Sequence, residues 1–317
     1  MEHDSVLVTG GAGFIGSHTV EALLDLNVRT WILDDLSSGG LRNLSGVIHD
    51  PKLRFVRGSI TNYQTVRTLA RKVDAIIHLA AQISPFISMK HPETTTTTNV
   101  NGTLNVLRAA VREKIQKVVF ASSSSVYGDV KSRYVSEKLP TNPITPYGAS
   151  KLAAEKYCGA FYRAYDVPTI SLRYFNVYGQ RQSSNPYSGV IAIFARALID
   201  RRRPSIFGDG YQTRDFIHVS DVARANIRAL QSERGYGDAF NVGTGKAITV
   251  KHLVDLLREI LGRNEIQPIF RKRRPGDIRD SCADLTKTRS ILGFTPQVDL
   301  KAGLKLLTKS TCPETMD

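Results

Sequence analysis

The run Thr9-Gly10-Gly11-Ala12-Gly13-Phe14-Ile15-Gly16 follows an apolar, β-branched segment and opens an amphipathic one. Glycine there serves a tight turn, lets backbone approach a pyrophosphate and lets a helix pack closely on a strand, while the helix N-terminus presents N–H groups to the anion. The start of the chain is thereby held to a strand–turn–helix unit shaped for a dinucleotide. Asp34 ends the next apolar run. A carboxylate there accepts hydrogen bonds from the adenosine ribose and repels a 2′-phosphate, so NAD is expected rather than NADP, and Asp35 beside it adds to the preference.

The first half alternates short β-branched runs with helical periodicity, as a parallel sheet covered by helices requires. Strands are expected over Ser5 to Thr9, Thr30 to Leu33, Arg54 to Arg57, Ala75 to Leu79, Lys117 to Ser122 and Thr169 to Tyr174. Helices are expected over Phe14 to Leu26, Tyr63 to Lys72, Asn99 to Lys114 and Pro146 to Tyr165. The fold class is therefore α/β, a Rossmann-type doubly wound parallel sheet with a smaller C-terminal substrate-binding lobe. Residues 1–175 are expected to form the NAD-binding domain. Residues 176–310 form mainly the covering lobe, with some elements returning to the sheet, and 311–317 a tail. In the lobe the pattern loosens into a Ser-, Asn- and Pro-rich stretch, then helices over Gly189 to Arg201, Ser220 to Leu230 and Val250 to Leu261.

Composition narrows the function classes. With 317 residues, 41% hydrophobic and 23% charged, the chain has ample material for a core, which excludes disorder as its whole character. Cys158, Cys282 and Cys312 are far apart and odd in number, and the seven histidines show no ligand spacing, so neither a disulfide framework nor a metal site is expected. The N-terminus lacks the charged and apolar regions of a signal peptide, and no stretch is long and apolar enough for a membrane helix; a cytoplasmic protein without membrane insertion is expected. The net charge of +14 includes two basic runs, Arg201 to Arg203 and Arg271 to Arg274. Neither is interleaved with aromatics or set in a nucleic-acid-binding motif, so the charge points to a phosphorylated small molecule rather than nucleic acid.

Tyr147 and Lys151 lie four residues apart within the expected helix Pro146 to Tyr165, hence on one helical face. A phenol with an ordinary pKa near 10 is a poor base at neutral pH, and a fixed ammonium beside it lowers that value. The serine run Ser122 to Ser125 ends the preceding strand.

Taken with Asp34, His78-Leu79-Ala80-Ala81, Asn99, Ser122 to Gly128 and Leu172-Arg173-Tyr174-Phe175-Asn176, these residues resemble the extended short-chain dehydrogenase/reductases. The likeness continues through Gly208-Asp209-Gly210, Arg214 to Val219, Asn241-Val242-Gly243 and Pro275-Gly276-Asp277, and is closest to the nucleotide-sugar 4-epimerases over residues 5 to 308. The resemblance implies that Ser123 bonds the sugar C4 oxygen, Tyr147 is the base, and Lys151 binds the nicotinamide ribose and lowers the tyrosine pKa. It implies an NAD site from Gly10, Gly13, Phe14, Ile15, Gly16, Asp34 and Asp35, with Ser37, Ser38 and Gly39, then Ser59 and Ile60. Leu79, Ala80, Ala81 and Gln82 continue that site, with Asn99, Tyr147, Lys151 and Tyr174. Around a UDP-sugar it places Ser84, Ser123, Ser124, Tyr147, Asn176 and Val190, then Phe207, Gln212, Arg214, Arg274, Asp277 and Ser281. Arg214 and Arg274 suit the diphosphate, because a guanidinium fork matches phosphate oxygens bidentately. A homodimer is implied through a four-helix bundle from the helices around Asn99 to Lys114 and Pro146 to Tyr165.

The expected activity is NAD-dependent epimerisation at C4 of a UDP-hexose through a 4-keto intermediate. UDP-glucuronate epimerase or decarboxylase activity, or a non-catalytic NAD- or nucleic-acid-binding role, are the alternatives. The related 4,6-dehydratases resemble T-D-E-V-Y-G where this chain has Ser123-Ser124-Ser125-Val126-Tyr127-Gly128, and serine cannot supply their acid/base pair. Ser281 stands where relatives restricted to glucose and galactose carry tyrosine, which leaves room for an acetamido group. Two departures stand out: Ser59 replaces the usual aspartate of a G-D-I or G-D-L motif, and the larger Ile83, in place of a smaller residue common beside the substrate, is expected to narrow the sugar pocket.

Overall fold

The computed structural model describes residues 3–183, 189–273 and 278–311. Its main sheet is built from β1 (Ser5–Thr9), β2 (Arg29–Asp34), β3 (Leu53–Arg57), β4 (Ala75–His78), β5 (Lys117–Ser123), β6 (Thr169–Tyr174) and β10 (Asp238–Val242). The order is β3-β2-β1-β4-β5-β6-β10, every pairing parallel. Because helices cover both faces, central strands read as unbroken apolar runs rather than alternations: Val6, Leu7, Val8, Ile76 and Ile77 have no solvent exposure. The helices α1 (Phe14–Asp25) and α8 (Val219–Gln231) close one face, α2 (Tyr63–Ala70) and α5 (Gly102–Arg112) the other. The order reverses between β1 and β4, and the crevice at the carboxyl ends of these strands is where a doubly wound sheet places its ligand.

The later residues add a small sheet of β7 (Asn176–Tyr178), β9 (Thr213–His218) and β11 (Ala247–Thr249), and a pair of β8 (Ser205–Phe207) with β12 (Ile269–Arg271). The helices α7 (Val190–Ile199), α9 (Val250–Leu261) and α11 (Leu300–Thr311) pack around a separate apolar cluster that includes Ile191, Phe194, Leu253 and Leu257. The edge strand β10 belongs to the main sheet, and α8 packs on α1, so this part of the chain is threaded back through the first.

Between β4 and α5 lie two short helices that the sequence pattern does not signal, α3 (Pro85–Lys90) and α4 (Pro92–Thr96), followed by a wide turn over Thr97–Asn101. Each helix has proline in its first turn, and the Ser84 hydroxyl caps α3 by accepting the Ile87 N–H at 3.2 Å. The threonine run conceals this region, since β-branched residues have weak helix propensity and here helicity is imposed by packing on α6 (Pro146–Tyr165).

A directional hydrogen-bond chain ties β1, β4 and α5 behind the crevice. The Thr103 hydroxyl donates to the Asn99 carbonyl at 2.6 Å, so it accepts from His78 Nε2 at 3.0 Å. His78 Nδ1 is then left to accept from the Thr9 hydroxyl at 2.7 Å, and Thr9 in turn accepts the Ala80 N–H at 3.2 Å. The network assigns His78 as the neutral Nε2–H tautomer. Burial agrees, pushing its pKa from 6.5 down to about 3. The unfolded chain takes up that proton below about pH 6.5, so the stability conferred by neutral His78 is present above that value and lost as pH falls toward 3. Between pH 7 and pH 5 this one group is expected to cost about 2 kcal/mol of folding free energy. Urea unfolding of wild type and His78→Gln at the two pH values checks this: the variant's pH dependence should be shallower by that amount, and equal slopes would contradict it.

Candidate functional site

The glycine run forms a cradle at the carboxyl end of β1. Gly10 has φ +73°, a conformation that L side chains rarely adopt, and a Cβ there would stand 2.8 Å from the Ala80 nitrogen. A Cβ on Gly16 would lie 2.0 Å from the Gly10 carbonyl oxygen. Gly13 precedes α1 without any side-chain cap, so the first N–H groups of the helix face the crevice unclaimed by a side chain. Asp34 receives the Ala12 N–H on one oxygen at 2.9 Å and the Leu36 N–H on the other at 2.8 Å. Burial pushes its carboxyl above the ordinary value, and those two N–H groups pull it back. Each oxygen keeps a lone pair for a ribose hydroxyl. Asp35 is exposed and accepts the Ser37 N–H at 2.9 Å, with Ser37 and Ser38 also exposed and Gly39 packed on the Ala12 carbonyl. An uncapped helix start, two positions closed to any Cβ and a carboxylate ending β2 together fit an NAD dinucleotide.

Other expected cofactor residues divide by what their side chains do. Phe14 and Ile15 open α1, and Leu79, Ala80, Ala81 and Gln82 form the half-buried segment after β4. The Ser59 hydroxyl is engaged with Thr61, Oγ to Oγ1 at 2.9 Å, and the buried Ile60 side chain packs against Gly102. Asn99 is fully occupied inside the protein. Its amide oxygen accepts the Gln82 N–H at 2.7 Å, and its nitrogen donates to the Gln82 carbonyl and the Ser150 hydroxyl, each at 2.9 Å. It therefore sets the loop beside the crevice. Tyr174 likewise donates its hydroxyl to Asn226 at 2.6 Å and faces α8.

Ser123 ends β5, and Tyr147 and Lys151 lie on α6. Thr145 caps α6 by accepting the Gly148 N–H at 3.2 Å, and Pro146 supplies the first-turn φ. The helix starts hard against the end of β5, since a Cβ on Gly148 would come 2.7 Å from the Ser125 carbonyl. The Ser123 oxygen meets the Ser125 hydroxyl at 3.1 Å and accepts the Ser125 N–H at 3.2 Å. Burial raises the Tyr147 phenol above its ordinary value, and a hydrogen bond with Ser123 eases it downward. Here the direction differs from the sequence expectation of a lowered phenol, because burial outweighs the Ser123 hydrogen bond. The ammonium is itself buried, its pKa pushed down to about 8, and it lies 4.8 Å over the Phe120 ring.

On the other side of the crevice, the buried Ser84 caps α3, Ser124 opens a short turn after β5, and Val190 opens α7. Asn176 donates to the Asp215 carbonyl at 3.3 Å. Gln212, nearly buried, donates to the Phe207 carbonyl at 2.7 Å, and Arg214 Nη1 to the Thr213 carbonyl at 2.7 Å. Ser281 is buried beside Asp280, which accepts the Thr213 hydroxyl at 2.8 Å. Ile83, in the segment after β4, is 63% exposed. Arg274 and Asp277 lie outside the described residues. Among the described residues no cluster of histidine, cysteine and carboxylate could hold a metal, and no helix is long and apolar enough to cross a membrane.

Several supporting residues escaped the sequence reading. Asp215 accepts Thr244 N–H and hydroxyl on one oxygen and the Gly245 and Ala283 N–H groups on the other, all between 2.6 and 3.0 Å. This explains Gly243-Thr244-Gly245: the loop wraps a buried carboxylate and not a phosphate. Asn241 similarly joins Tyr127, Glu137, Val135 and Asp284. The motif positions next to Arg214 and Gly243 were the available signal.

Residues 6–243 match the NAD dependent epimerase/dehydratase family. The UDP-glucose 4-epimerase of Mycolicibacterium smegmatis is 41% identical over 300 residues, 94% of this chain and 95% of that protein. The crystal structure of UDP-glucose 4-epimerase with UDP-glucose from Thermotoga maritima superposes with a TM-score of 0.91 at 38% identity, covering 97% of this chain and 98% of that one. UDP-N-acetylglucosamine 4-epimerase from Methanobrevibacter ruminantium M1, in complex with UDP-N-acetylmuramic acid, gives 0.94 at 35% identity, covering 99% and 100%.

The cradle makes a direct prediction. Gly16→Ala forces apart backbone atoms that now leave no room for a methyl group. The purified variant should retain at least about tenfold less NAD than wild type, a loss of about 1.4 kcal/mol in binding. Chromatography of nucleotide released on denaturation measures it, and equal NAD content would contradict the account.

Proposed function

Because the chain belongs to the NAD dependent epimerase/dehydratase family, we propose that it inverts the C4 hydroxyl of a UDP-hexose, with NAD as its resident cofactor. The observation that carries this reading is the packing of α6, which bears Tyr147 and Lys151 one turn apart, on β5, whose carboxyl end bears Ser123 at the same end of the sheet as the glycine cradle. Kinship with the UDP-glucose and UDP-N-acetylglucosamine 4-epimerases supports the substrate class.

NAD, when bound between the cradle and α6, supplies a reversible hydride acceptor and a positive ring charge that opposes the upward pull of burial on the phenol. The protein's own residues manage the proton and the pose. Ser123 and Tyr147 hold the C4 oxygen; Tyr147 takes the hydroxyl proton as C4 is oxidised and returns it when the 4-keto sugar is reduced on its other face. The Lys151 ammonium binds the nicotinamide ribose. Asp34 holds the adenosine ribose, while Arg214, with Arg274 from outside the described residues, grips the diphosphate. Elimination of water across C5 and C6 has no acid/base pair here, since Ser124 and Ser125 occupy the positions that would supply it.

The exposed aromatics Tyr157 and Tyr165 on α6, with Tyr165 and Phe161 beside Tyr63 and Val111 and rimmed by Arg108 and Arg112, supply an outer face for a homodimeric helix bundle. Ser281 leaves room for an acetamido group, so both UDP-glucose and UDP-N-acetylglucosamine are substrates in this reading.

Proton NMR of the purified protein with each sugar tests it. The galacto anomeric signal should appear with both, and Ser281→Tyr should slow the N-acetylated sugar at least about tenfold relative to UDP-glucose. If neither sugar changes even after NAD is supplied, the reading falls.

A further inference from the structure

Behind the proposed catalytic residues lies a charged pair that the reaction does not use. Glu155 is on α6 one turn beyond Lys151, and Arg173 is on β6; the two side chains are 6% and 5% exposed. Arg173 holds both oxygens of Glu155, Nε to Oε2 at 3.0 Å and Nη2 to Oε1 at 2.6 Å. The Ser122 hydroxyl donates to Oε2 at 2.7 Å, and the guanidinium stacks 4.7 Å from the Tyr127 ring. Among the described residues Arg173 Nη1 makes no hydrogen bond of its own. Such a pair is a poor stability device, because desolvating both ions offsets most of their attraction, and apolar replacements are often as stable.

Its position suggests another purpose. Residues four apart on a helix share a face, so Glu155 is the carboxylate nearest to Lys151 along α6. Both side chains are buried on that face, Lys151 at 3% and Glu155 at 6% exposure. The remaining groups around the ammonium are neutral: His78 from β4, the Phe120 ring from β5, and the Cys158 thiol and Tyr147 phenol on α6. Among the described residues Lys151 has no ion-pair partner. A buried, uncompensated Glu155 would become one.

We infer that Arg173 is a positioning residue: by holding both oxygens of Glu155 it keeps that carboxylate off Lys151, so that the ammonium stays available to the cofactor ribose and the Tyr147 phenol. The same fork fixes Ser122 and hence the backbone that presents Ser123. The inference rests on the role proposed for Lys151 above, but its test does not depend on turnover.

The NAD-loaded protein, carrying 13C-labelled lysine, is titrated by NMR as wild type, as Arg173→Met and as the double variant Arg173→Met with Glu155→Gln. Lys151 should titrate near 8 in the wild type. In Arg173→Met it should move upward by at least about one unit, as an opposite charge at contact distance demands. The double variant should bring it back, because no carboxylate remains to capture it. With UDP-glucose, kcat should fall at least about tenfold in the single variant at nearly constant KM and recover in the double, a split that general loss of packing would not produce. A Lys151 titration that is unchanged in Arg173→Met overturns the inference. Should that variant not fold, Arg173→Lys replaces it, since one ammonium cannot hold both carboxylate oxygens; a smaller upward shift supports the inference and none overturns it. Absence of any turnover in wild type would strike at the proposed function alone, leaving the titration to decide this point.

Discussion

The fold turns on the want of a side chain where β1 gives way to α1. Gly10 presses its α-carbon against the Ala80 backbone of the neighbouring strand's exit loop, and Gly16 seats the helix on the Gly10 carbonyl. No residue with a Cβ fits either place. From that contact follow the direction of α1, the crevice between β1 and β4, and an uncapped helix start facing it. Asp34 secures the arrangement from β2 by accepting the Ala12 N–H inside the turn itself. A structural tie thereby becomes a potential ligand, because the carboxylate that fixes the loop also ends in the crevice.

Around this point the interior relies on buried polar side chains that are almost fully used. Asn99 sets the Gln82 loop and reaches Ser150 on α6, whose hydroxyl returns to the Tyr147 carbonyl at 2.8 Å. Asp215 organises Thr244, Gly245 and Ala283, and Asn241 gathers three segments, at Tyr127, at Val135 with Glu137, and at Asp284. Such groups are costly to strand without partners, so each fixes its neighbours in one arrangement. The neutral His78 chain does the same between β1, β4 and α5. The rigidity that the proposed proton transfer at Tyr147 requires thus comes from hydrogen bonds made one layer behind it.

The periodic parts of the chain were legible beforehand for simple reasons. Strands such as Ser5–Thr9 and Lys117–Ser123 are buried and carry the unbroken apolar runs Val6 to Val8 and Val118 to Ala121, and α6 begins at a Thr145-Pro146 cap that can be read directly. The short helices α3 and α4 were hidden by threonines whose helicity comes from packing on α6. The Tyr147 and Lys151 spacing placed both groups on one face, yet spacing carries no information on burial, and burial reverses the expected direction of the phenol shift. The role of Glu155 was invisible for a related reason: Arg173, eighteen residues on, meets it only through the pairing of β6 with β5. At Asn99 and Tyr174 the resemblance named the positions but not the internal bonds their side chains make, to Gln82 and Ser150 and to Asn226.

The central claim is that C4 is oxidised and re-reduced within one closed site, the hydrogen never leaving the protein. UDP-glucose deuterated at C4, incubated with the NAD-loaded protein in ordinary water, tests it most directly. The account predicts UDP-galactose that keeps its deuterium at C4, read by mass spectrometry and proton NMR. Product carrying solvent hydrogen at C4 would contradict it, and would replace hydride return with exchange by a solvent-open route.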